Sequence, residues 1–251
     1  MTCSAWLCRA QLLLWLCISA CIVSEPGTSI EVTALSTIAS DPRSSLTSDL
    51  GYAVQLDQLY IVLSKVELIP CADPRPMALL HALFGTSVAH AHGKSSPTTW
   101  AVPNVLAPLL DSRPVSLTVL HPPARAYCSI RISLEAADAD AERMPQEIDL
   151  NGLSMLVTGT YGTDGSRPGV SFSYESYVSS TMELPIVDST GAPAPISLSE
   201  DNLNVSLRIE LAYQHLFDGL ALFPGSFSTF GDIVLSQLLD HATAIAVDDA
   251  D

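Results

Sequence analysis

Apolar and polar residues alternate with a period of two along most of this chain, and turn-forming residues break the alternation at short intervals. Successive side chains of an extended strand leave opposite faces, so the pattern predicts strands with one buried face. The strongest run is 53–69, in which Val54, Leu56, Leu59, Ile61, Leu63, Val66 and Leu68 fall on the inward side. Its phase slips at Asp57-Gln58 and again at Ser64-Lys65, which predicts a bulge or bend at each. Further strands are expected at 29–35, 115–120, 126–134, 151–161, 170–177, 179–187 and 203–213. In the last of these Val205, Leu207, Ile209, Leu211 and Tyr213 share a face, and in 179–187 Pro185 would put the strand end on an edge.

The remaining segments are less regular. Residues 76–84 are apolar enough for one or two helical turns, and 100–110, with Pro103 and Pro108, reads as extended packing. The best helix candidate is 233–246, where Ile233, Val234, Leu238 and Ala242 form a stripe. Many short strands with few helices predict a mainly β fold. The expected form is an immunoglobulin- or prealbumin-like antiparallel β-sandwich with a short C-terminal helix. No period of 20 to 50 residues stands out, so a repeat architecture is not expected.

The chain starts with a different kind of pattern. One basic residue, Arg9, precedes the apolar run Leu12 to Ile18, and the small residues Ser19 and Ala20 lead to Cys21. This is the form of a secretory signal, and the run falls short of the roughly 20 apolar residues that span a bilayer. Ile18-Ser19-Ala20-Cys21 resembles the bacterial lipobox, whose cysteine takes a lipid before cleavage. The alternative is an ordinary signal peptide with Cys21 left as a plain thiol. Ile22 stands where an inner-membrane lipoprotein commonly has aspartate, so the expected address is the outer membrane, facing periplasm or cell surface. The domain plan is then a signal peptide (1–20), a lipid-anchored tether (21–28), one β domain (29–246) and an acidic tail (247–251).

Loss of the leader alters the arithmetic of charge and thiols. It takes Arg9 and no acid, leaving 10 basic residues against 27 acidic ones. A surface this acidic repels phosphate backbones and anionic headgroups, which argues against nucleic acid and peripheral membrane binding. The membrane contact expected is through the lipid alone. Of six cysteines, Cys3, Cys8 and Cys17 leave with the leader and Cys21 takes the lipid, so Cys71 and Cys128 remain. In an oxidising compartment these read as one disulfide, the alternative being two buried free thiols. Neither belongs to a C-x-x-C pair, which disfavours zinc.

The sharpest chemical motif is His90-Ala91-His92-Gly93. Residues two apart in extended backbone project to one side, so both imidazoles can reach one ion. Neutral imidazole suits zinc, copper, iron and nickel. A third ligand would come from His81, His121 or His215, or from a carboxylate. For each histidine a plainer role competes: a solvated loop for His90 and His92, a packed or capping residue for His81 and His121. A structural turn suffices for His215, and a surface position for His241. Asp138-Ala139-Asp140-Ala141-Glu142 lacks the glycine and the oxygen array of a calcium loop and reads as a solvated acidic loop. No G-x-S-x-G, H-E-x-x-H or phosphate-binding glycine loop is present, and a non-enzyme is expected.

Three stretches carry a resemblance. They are Gly51-Tyr52-Ala53-Val54-Gln55-Leu56 running into Val66-Glu67-Leu68-Ile69-Pro70-Cys71, then Pro122-Pro123-Ala124-Arg125-Ala126-Tyr127-Cys128, then His215-Leu216-Phe217-Asp218-Gly219-Leu220. Their order and spacing resemble the periplasmic copper-binding proteins associated with methanobactin. The resemblance implies an exported β-sandwich, frequently a lipoprotein, with copper as cofactor. The copper site of that family includes histidine and a modified tryptophan, and the one tryptophan after the leader here is Trp100. The expected function is metal capture or delivery outside the cytoplasm, with His90, His92, His121 and His215 as candidate ligands. The competing expectation is a metal-free interaction lipoprotein that presents its loops to a protein or glycan partner.

Overall fold

A computed structural model describes residues 27–36, 46–72, 96–110, 113–162, 169–199, 202–222, 225–226 and 228–247. Cys21, the leader, most of the tether, His81, His90, His92 and the tail beyond Val247 lie outside these residues. Fourteen strands are described. They are β1 (Ser29–Ser36), β2 (Leu46–Thr47), β3 (Ala53–Pro70), β4 (Thr99–Trp100), β5 (Asn104–Leu106), β6 (Val115–Leu120) and β7 (Ala126–Leu134). The others are β8 (Met155–Gly162), β9 (Val170–Ser176), β10 (Ser180–Val187), β11 (Ile196–Ser197), β12 (Asn204–Leu211), β13 (Gly225–Ser226) and β14 (Thr243–Val247). Among the described residues one α-helix, α1 (Ser228–Asp240), precedes β14.

The strands form one curled, mixed sheet in the order β13-β9-β8-β3-β7-β10-β14-β12-β1-β6. The curl brings edge strand β6 back into contact with β4, which pairs with β3. Val54, Leu56, Leu59, Ile61, Leu63, Val66 and Leu68 all enter one core with residues of β1, β7, β8, β9, β12 and α1. The register of β3 shifts between Leu56 and Gln58 against β8 and between Leu63 and Lys65 against β7, at both places where the alternation slips. Between the shifts the other face is covered too. Tyr60 and Val62 pack with Val105, Ala137, Ala141, Leu150, Leu153 and Leu156 in a second, smaller cluster.

Two expectations need correction. The sheet is mixed rather than antiparallel, because β1 runs parallel to β12, β10 to β14 and β13 to β9. Period-two alternation is the same for either direction, so the pattern held no information about it. Second, the helix ends at Asp240 and the stretch expected to continue it is β14, paired antiparallel with β12 from Glu210 to Ser206. Ala-Thr-Ala-Ile-Ala-Val at 242–247 suits either form locally; the free edge of β12 decides, and Val247 belongs to the strand rather than the tail. Ile233 from the expected stripe is 43% exposed, whereas Val234, Leu235, Leu238 and Leu239 are buried. Pro185 stands on an open edge as expected, since along 180–185 the described pairing of β10 is with β7 alone. Residues 180–185 pair with β7 while Ile186 and Val187 pair with β14, so the residue without an N–H stands where β10 passes from one neighbour to the next.

Cys71 and Cys128 form a disulfide, with Cα atoms 4.8 Å apart, where β3 ends and β7 begins. Acid sensitivity is built into the neighbouring strands. Asp188 opens the turn after β10, and hydrogen bonds from the Thr190 hydroxyl and then from the N–H groups of Ala192 and Thr190 hold its carboxyl below the usual range. The Ser129 hydroxyl does the same for Glu183, helped by Arg131 and opposed by burial. A carboxyl lowered by folding contributes stability above its unfolded pKa and loses that contribution as pH falls through the folded value. Melting temperature is therefore expected to drop as pH falls below about 4. The double variant Asp188→Asn/Glu183→Gln should flatten that drop, and a profile identical to wild type would refute the assignment.

Candidate functional site

Two loops and the end of α1 meet beyond the C-terminal end of β12. A 3-10 turn at Tyr213–His215 follows the strand. Tyr213, Leu216, Phe217 and Leu220 are buried and anchor this segment to the core, Phe217 edge-on to Phe172 at 5.6 Å. With these side chains inward, His215 and Asp218 are left half-exposed on the outer side. His215 Nδ1 lies 2.7 Å from Asp218 Oδ2. An ionised carboxylate only accepts, so Nδ1 carries a proton and donates; in the neutral ring Nε2 is then the acceptor, 3.4 Å from the Gln214 amide nitrogen. A carboxylate on one ring nitrogen is the usual support of a histidine that ligates a metal through the other.

His241 lies against this ring. It follows Asp240, the last residue of α1, and its ring stacks on His215 with centroids 4.4 Å apart and planes at 30°. Asp49, in the turn that leads from β2 into β3, completes the group. Its Oδ1 accepts the Gly219 N–H at 2.7 Å, and its own N–H donates to Asp218 Oδ1 at 3.1 Å.

No family model, curated protein or solved structure matches this chain.

His215 is thus brought beside a second histidine, but not beside His121. His121 follows β6, and its Nδ1 is 3.3 Å from the Thr28 carbonyl, at the N-terminal end of β1. His215 follows β12, which runs parallel to β1 from Ser29↔Asn204 to Ser36↔Leu211. The two histidines therefore sit at opposite ends of a strand pair on the order of 20 Å long, too far apart to share an ion. Trp100 packs in the main core, 6% exposed and paired with Val66. Among the described residues no three His, Cys, Asp or Glu side chains gather in the geometry of a metal site. The described residues bring two histidines together and no third group of that kind in ligating geometry.

The other polar groups have local work. Asp138 Oδ1 accepts the Asp140 N–H, and Glu142 accepts from the buried Asn104 amide at 3.2 Å, so the acidic loop is tied to β5. A crevice lined by Ala34, Leu106, Pro108, Arg113 and Tyr213 has a volume of about 10 Å³, room for about one water. His241 and Asp49 escaped the sequence reading because neither sits in a motif; only the fold places them beside His215.

Proposed function

We propose that this protein is exported, held at the outer membrane by a lipid on Cys21, and binds a transition metal, copper foremost, for capture or delivery outside the cytoplasm. The observation that carries the metal reading is His215, held through Nδ1 by Asp218 and stacked on His241. Such a ring presents Nε2 outward, where the Gln214 amide nitrogen at 3.4 Å would give way to an ion. His241 is the second imidazole of this reading, and His90 and His92 are the candidates for completing the coordination. His121, at the far end of the strand pair, is set aside as a ligand of the same ion.

The tether supports the same picture. It enters the domain at Ser29, the end of β1 opposite His215, so the site would face away from the anchoring surface. Because strands on both sides of β10 contribute to one core, we read the curled sheet as a sandwich of the immunoglobulin or prealbumin kind with mixed strand directions.

The test is a titration of the purified protein with Cu(I), Cu(II) and Zn(II). One equivalent of copper should bind. His215→Ala, His241→Ala and the double variant His90→Ala/His92→Ala should each weaken binding at least about tenfold, which is 1.4 kcal/mol. Failure of the wild-type protein to bind any of the three ions would sink the metal reading in favour of a metal-free interaction lipoprotein.

A further inference from the structure

The residue that decides where His215 points is about 170 positions away in sequence. We infer that Asp49 is the positioning residue of the His215 site. It acts through Asp218, whose two carboxylate oxygens are divided between two partners: Oδ2 receives His215 Nδ1–H and Oδ1 receives the Asp49 N–H. A carboxylate is free to turn about its last torsion, which is broad and roughly two-fold. The Asp49 N–H removes that freedom by claiming one oxygen. The second tie, Gly219 N–H to Asp49 Oδ1 at 2.7 Å, fixes the backbone beside Asp218. That tie matters because Gly219 has φ +73°, in the left-handed region where glycine is unrestricted and the loop has little stiffness of its own.

Asp49 is itself rigidly presented. Ser48 is buried and accepts the Tyr52 N–H on its Oγ, while Ser48 N–H bonds the Tyr52 carbonyl at 3.0 Å and Gly51 N–H bonds the Ser48 carbonyl at 2.9 Å. The turn leads directly into β3, the longest strand of the sheet. Orientation therefore passes from the core strand to Asp49, to Asp218 and to the imidazole.

An asparagine at 49 would supply the same acceptor and the same backbone donor. The copper readout rests on the metal-binding reading; the positioning of the ring does not.

The experiment compares the wild-type protein with Asp49→Ala and Asp49→Asn. Two readouts are taken, the imidazole ¹⁵N spectrum of His215 with its ring neutral and the titration with copper. The wild-type ring should be a single tautomer with the proton on Nδ1. Asp49→Ala keeps the backbone N–H but removes the side-chain acceptor that ties Gly219 beside Asp218. Without that tie the N–H and Asp218 Oδ1 lose their alignment, which should give mixed tautomers and weaken copper binding about tenfold. Asp49→Asn should restore the single tautomer, which a general loss of folding would not. An Asp49→Ala protein whose ring spectrum and copper affinity match wild type would overturn the positioning role of the Asp49 side chain and leave the metal reading intact. A tautomer that depends on Asp49 in a wild-type protein that binds no copper would uphold the positioning role and refute the metal reading.

Discussion

Replacing Gly231 with alanine is expected to lower stability by about 1–3 kcal/mol, although alanine is the better helix former by roughly 1 kcal/mol. The reason lies in the seat of α1 on β9. A Cβ at 231 would stand 2.0 Å from the Glu175 carbonyl oxygen, 2.4 Å from its carbon and 2.9 Å from Ser176 N. All three are backbone atoms of a paired strand, so none can rotate aside as a side chain would. The helix must lift instead. Lifting would loosen Phe230 from Tyr174, whose ring centroids are 4.6 Å apart, and Val234, Leu235 and Leu238 from the core. It would also stretch the bond from Ser176 Oγ to Asp232 at 2.7 Å, the outer member of a buried chain that begins at Ser154. Chemical denaturation of Gly231→Ala against wild type measures the effect. Because helix propensity and packing predict opposite signs, an unchanged or raised stability would show that α1 is not seated on β9 in this way.

The second large effect belongs to the disulfide. Removing it by Cys71→Ala/Cys128→Ala should cost about 4 kcal/mol, from the chain entropy of a closed loop of this length. The bridge spans 57 positions and closes the segment between the end of β3 and the start of β7. These two strands are neighbours at the centre of the sheet, registered from Leu63↔Leu134 to Pro70↔Tyr127. The ladder should survive in the variant, so the loss is expected in the unfolding midpoint rather than in the native spectrum. A urea titration with and without reductant checks this. Coincident curves for oxidised wild type, reduced wild type and the double variant would remove the bridge from the stability of the fold.

These two sites differ in how they were legible. Cys71 and Cys128 could be paired by elimination, because the leader and the expected lipid account for every other thiol. Gly231 could not be singled out, since a glycine in a helix has no local signature that says a strand lies 2 Å from its absent methyl. The same contrast divides the candidate site. His215 stood out within a short motif with Asp218 three residues on, a separation that one turn of chain can close. His241 reads as an ordinary surface residue and Asp49 as an ordinary turn residue. Both gain meaning only from contacts across 26 and about 170 positions.

Local alternation was enough to determine the residues that face inward along β3 and β12, the two breaks in β3, and the mainly β class. Side-chain direction in a strand depends on the backbone alone, whatever lies next to it. Partner, direction and neighbourhood depend on the path of the whole chain. Tertiary structure therefore decided that β1 lies parallel to β12, that 243–247 is a strand rather than the end of a helix, and that Pro185 marks a change of neighbour. It also decided that His121 and His215 stand at opposite ends of one strand pair, while His241 and Asp49 come to His215 from distant parts of the sequence.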